Sequence, residues 1–88
     1  MALTHGMNIE EVKALGQFLQ AKKGEIEQLV SQIQAKVDGA GWEGPDALKF
    51  KGDWWPEHKN SLNQIGERLH GFGQSALNNA TEQENVSR

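Results

Sequence analysis

Gly41-Trp42-Glu43-Gly44-Pro45-Asp46 lies almost at the centre of the 88-residue chain and separates two long stretches of helical periodicity. Glycine is favoured where a helix ends, because it takes the left-handed conformation without a Cβ penalty. Proline is favoured at a first helical position, where its missing N–H costs nothing. The stretch therefore reads as the end of one helix and the start of another. A tryptophan between the two glycines can lie across both helix ends and fix their angle. The expected object is a helical hairpin whose turn carries its own apolar plug.

Working outward toward the N-terminus, Asn8 precedes Ile9-Glu10-Glu11 in the manner of an N-cap with a glutamate three residues on. Val12, Leu19, Ile26, Ile33 and Ala40 then fall seven residues apart, and Leu15, Leu29, Val30 and Val37 fill the intermediate spacing. This is an apolar stripe on a helix over about 8–39, about 45 Å long at 1.5 Å per residue. Gly16 and Gly24 interrupt it, each at a cost of about 1 kcal/mol relative to alanine, and invite close approach of another helix. The turn occupies 40–45.

Outward in the other direction, Leu48, Trp55, Leu62, Leu69 and Ala76 are again seven apart. Ile65 and Phe72 hold a companion row, which Lys51 and His58 occupy nearer the turn, and Phe50 and Trp54 widen the apolar surface there. Pro56 disfavours helix at Trp55 and removes a helical hydrogen bond. The register runs unbroken across it, so the expectation is one kinked helix over about 46–82. From about Asn78 the sequence is polar and is expected to fray. Gly71-Phe72-Gly73 reads as a weak helical segment.

Eighty-eight residues suffice for a single small domain, residues 1–88, with a marginal core of its own. There is no cysteine, 36% of residues are hydrophobic, and the formal charge is -3 with both signs interspersed. No basic cluster marks a nucleic-acid footprint. No apolar run approaches the ~20 residues that span a bilayer, and residues 1–7 lack the charged segment and apolar core of a secretory signal. The expectation is a protein made in the cytoplasm without a cleaved signal peptide and not inserted stably in a membrane.

The apolar surface is broader than one hairpin seam. Leu29 beside Val30, and Trp54 beside Trp55, point to different sides of one helix. A lone hairpin would leave a contiguous patch exposed, the usual mark of an interaction site. A second hairpin covering it gives an all-α four-helix bundle, a dimer. Leu19, Ile26, Ile33, Trp55, Leu62, Ile65 and Leu69 are the residues expected in the dimer interface or hairpin core.

Trp42-Glu43-Gly44 between two long helices, in a chain just under a hundred residues, resembles the WXG100 (ESAT-6-like) family over essentially the whole chain. Pro45-Asp46-Ala47 followed by Phe50 and Trp54, and the ending Ala80, Gln83, Val86-Ser87, are similar to actinobacterial members. The resemblance implies a helical hairpin that dimerises with itself or with a paralogue and is exported by the type VII (ESX) secretion system. It implies that Trp42 and Gly44 form part of a bipartite export signal, and that an FtsK/SpoIIIE-like ATPase is the partner in transport. The family's second element is a Tyr-xxx-Asp/Glu motif near the end of the second helix. This chain has no tyrosine, so that element would come from a partner or be replaced by a different motif.

Chemistry-bearing patterns are sparse. His5, His58 and His70 have no metal-ligand spacing such as His-Glu-xx-His, and no phosphate-cradling pattern surrounds Gly71-Phe72-Gly73. Ser, His and Asp occur without an enclosed pocket to assemble them. No enzyme, metal or cofactor is expected; His58 is expected at a partly buried interface, where a histidine would make association pH-sensitive. Two rival binding readings stand beside export: an adaptor or chaperone masking the helical region of a larger toxin, and a membrane-active amphipathic hairpin. The latter lacks the strongly basic polar face such helices use.

Overall fold

The computed structural model describes residues 3–4 and 6–86; His5 and Ser87 lie outside the described residues. The molecule is a helical hairpin, 65 × 16 × 15 Å in extent. A minimal antiparallel ladder precedes it, Leu3–Thr4 (β1) pairing with Met7–Asn8 (β2) around Gly6, whose φ of 82° is the left-handed value glycine tolerates. Asn8 then caps Ile9–Gly39 (α1), its side chain accepting the Glu11 N–H at 3.1 Å. After a connection over 40–44 come Pro45–Lys49 (α2), a π-helical turn over Phe50–Trp54 and Trp55–Val86 (α3). Pro45 to Val86 is one helical track, about 63 Å at 1.5 Å per residue.

The track stays helical past Pro56 by changing its turn. Trp55 N–H bonds to Phe50 O, five residues back. A proline removes one i→i−4 hydrogen bond and its ring crowds the carbonyl four residues earlier; a π turn just before it loosens the ladder at that place. The irregularity expected at Pro56 is thus a π turn over 50–54.

Two details of the connection differ from the sequence expectation. Helix α1 ends with Ala40 in extended conformation, its N–H bonded to Val37 O, and neither Gly39 nor Gly41 has positive φ. That conformation falls instead on Gly44, φ 107°, immediately before Pro45 at the first position of α2. In the connection Trp42 N–H donates to Ala40 O at 2.9 Å, a three-residue turn about Gly41, and the positive φ of Gly44 follows just before Pro45. The polar end is helical: α3 continues to Val86, Ala80 is 0% exposed, and Glu84 pairs with Lys13 at 2.9 Å. Helix persists in a polar sequence there because the side facing α1 needs only small residues.

Along most of its length the α3 side of the seam is built on small side chains. Ile9, Gly16 and Val30 are buried on α1, and Gly66, Gly73 and Ala80 on α3, each set in register at multiples of seven. At the closest point a Cβ added to Gly73 would lie 2.6 Å from Gly16 O, and one added to Gly16 would lie 2.8 Å from Gly73 O. The close approach expected at Gly16 is present; at Gly24 a Cβ would meet nothing within 4 Å.

Candidate functional site

With the seam fixed, heptad position assigns the remaining residues to two flanks, since residues seven apart share a face. On one flank Leu19, Ile26 and Ile33 of α1 and Leu62 and Leu69 of α3 lie half-buried along the seam. Farther out stand Leu15, Leu29, Ile65 (48% exposed) and Phe72 (62%). Antiparallel packing brings these rows to the same side, and a groove lined by Ile33, Leu62, Ile65, Trp54, Trp55 and His58 joins the two helices there. The opposite flank is polar. Gln20 Nε2 donates to Gln74 Oε1 at 3.2 Å, Lys59 Nζ to Gln34 Oε1 at 3.0 Å, and Lys23 pairs with Glu67 at 3.2 Å.

Of the residues expected in the core or interface, Trp55 alone is fully buried, at 4% exposure. It bridges the flanks: its ring lines the apolar groove and its Nε1–H donates to Gln34 Oε1 at 2.9 Å. Leu19, Ile26, Ile33, Leu62 and Leu69 share their area between seam and solvent, and Ile65 faces out.

At the tip, the connection lays Trp42 against Phe50, ring centroids 5.4 Å apart and tilted by 52°. Lys51 holds that segment in place, its Nζ donating to Ala40 O at 3.1 Å and Trp42 O at 3.3 Å. Phe50 stacks on Trp54 at 5.0 Å, and Trp54 on His58 at 4.0 Å. Aromatics at 50, 54 and 58 are four apart, and the π turn, with more residues per turn than an α-helix, brings such positions closer to eclipse. His58 is exposed in the single chain and lines the apolar groove: it lies on the Trp54 ring with Nδ1 2.7 Å from Trp54 O, an i, i+4 contact within its own helix.

Trp42 is 43% exposed and so is a partial plug. Trp42→Ala is expected to lower stability by about 1–2 kcal/mol, less than loss of a fully buried aromatic; urea denaturation measures it. Gly44 contributes backbone conformation, since a Cβ there would meet nothing within 4 Å yet φ is 107°.

Among the described residues no His, Asp and Glu side chains converge to hold a metal ion, and no helix is long and apolar enough to cross a membrane. Fold and surface define a class: a helical hairpin with one apolar and one polar flank and an aromatic tip. Comparison with family models, curated proteins and solved structures returns no significant match.

Proposed function

We propose that this chain works by binding, its apolar flank covered by a second hairpin, either a copy of itself or a paralogue, to form a four-helix bundle. In that form it acts as a substrate and partner of a type VII (ESX) secretion system, made in the cytoplasm and passed to the exterior through an FtsK/SpoIIIE-like ATPase. The observation that carries the binding reading is the one-sidedness of the apolar surface. Leu15, Leu29, Ile65 and Phe72 share a flank, whereas the side-chain hydrogen bonds and ion pairs that join α1 to α3 occupy the other. The export reading rests on the resemblance of Trp42-Glu43-Gly44 and its helical surroundings to the WXG100 family.

Light scattering on a sizing column tests the first part. The expected result is a helical species of twice the 9.8 kDa chain mass. Ile65→Glu with Phe72→Glu should run at the single-chain mass, because an unpaired carboxylate in an apolar interface costs several kcal/mol. A well-folded wild-type monomer that also ignores a co-expressed paralogue overturns the pairing. A stable complex with a longer helical protein, with little self-association, moves the reading to the adaptor alternative. For export, Trp42→Ala should lower the amount of chain outside cells that carry the secretion system while leaving the cytoplasmic level unchanged; undiminished export removes Trp42 from the signal.

A further inference from the structure

The aromatic tip has a second side. Beside the groove that opens on the apolar flank lies another of about 380 Å³, floored by Trp42, Phe50 and Trp54. Its rim carries three carboxylates, Asp46, Asp53 and Glu57, against one ammonium, Lys49. All three carboxylates are exposed, and none takes part in an ion pair among the described residues. Asp46 stands in the first turn of α2, where a carboxylate complements the helix dipole. That reason does not extend to Asp53 and Glu57, since the helical track runs continuously from Pro45 and presents no free N-terminus at either. Lys51, in the π turn, is committed by its Nζ to the carbonyls of Ala40 and Trp42.

We infer that this groove is a docking site for a basic peptide segment of a partner protein, one that presents arginine or lysine beside an apolar residue. An aromatic face attracts a cation placed within about 6 Å of its centroid, most strongly for tryptophan. A guanidinium also stacks flat on such a face while its N–H fork reaches a carboxylate. Trp42, 43% exposed, supplies the ring face; Trp54, stacked with Phe50 and His58, extends the apolar floor, and Asp53 and Glu57 stand four apart on the helix lining the same groove, so one side chain meets both kinds of partner. An acidic or purely apolar segment finds the same floor but lacks the complementary rim. This surface is distinct from the flank proposed for hairpin pairing, and the inference does not depend on that pairing.

The test titrates the intact chain with a short amidated peptide of alternating leucine and arginine, and with its leucine–glutamate counterpart. Tryptophan fluorescence is the readout, since Trp42 and Trp54 line the groove. The solution mass is read in the same samples, so that loss of pairing and loss of docking are told apart. Saturable binding of the arginine peptide alone is expected, weakened about fivefold by Asp53→Asn with Glu57→Gln. Glu10→Gln with Glu11→Gln removes the same charge at the far end of the hairpin and should leave binding unchanged. Equal weakening by both pairs would reduce the effect to bulk charge and overturn the site. Equal binding of the two peptides, or no saturation with the arginine peptide, would overturn it as well.

Discussion

Replacing Trp55 with alanine is expected to lower the unfolding free energy by about 3–5 kcal/mol, the usual cost of removing a buried tryptophan. The ring is 4% exposed, sits where α1 and α3 begin to pack below the connection, and is held by the Nε1–H bond to Gln34. Truncation leaves a void and withdraws one of the two donors at Gln34 Oε1, so Lys59 alone continues to serve it. For a domain of this size the loss is a large part of the total, since native stabilities run to about 5–15 kcal/mol. Trp54→Ala, one residue earlier and 49% exposed, should cost only about 1 kcal/mol or somewhat more. Urea denaturation of the two variants side by side checks the contrast; equal losses would show that Trp55 does not pin the helices.

The second large effect separates two glycines of one tripeptide. Gly73→Ala should destabilise by about 1–3 kcal/mol, the range for forcing atoms into a filled space. Its Cβ would meet Gly16 O at 2.6 Å and Gln20 Cγ at 2.7 Å; the glutamine can swing aside, but the carbonyl moves only if the helices separate. Gly71→Ala, with nothing within 4 Å of its Cβ, should stabilise by about 1 kcal/mol through helix propensity alone. The two variants differ by one methyl group at sites two residues apart, so opposite shifts in thermal midpoint isolate the close approach. Matching shifts would mean that the seam is not tight there.

These residues also mark how far the sequence could be read. Hydropathy and seven-residue spacing locate two long amphipathic stretches, and Asn8 and Pro45 stand at helix starts for the stated capping reasons. The same method looks for large apolar side chains and therefore places the seam on Leu19, Ile26 and Ile33. The closest contact is made by Gly16 and Gly73; on α3 the buried row Gly66, Gly73 and Ala80, with Gly66 against Ile26, repeats at seven residues and carries almost no hydrophobic signal. With glycine in the middle, the larger residues are displaced to one side, which is why a half-buried flank appears. At the tip, Trp42 and Gly44 stand out by residue type. The stack from Phe50 through Trp54 to His58 could have been found from its spacing of four; it was hidden by a proline that suggests a kink rather than a π turn.

That turn has a mechanical consequence. A π turn amounts to one extra residue threaded into an α-helix, so it acts as a gear tooth between stem and tip. Each residue advances an α-helix by about 100°. The direction in which α2, the connection and Trp42 project relative to the seam is therefore set by a one-residue offset near Gly52. Relatives with or without that residue would share the stem and present differently aimed tips, with the seam unchanged.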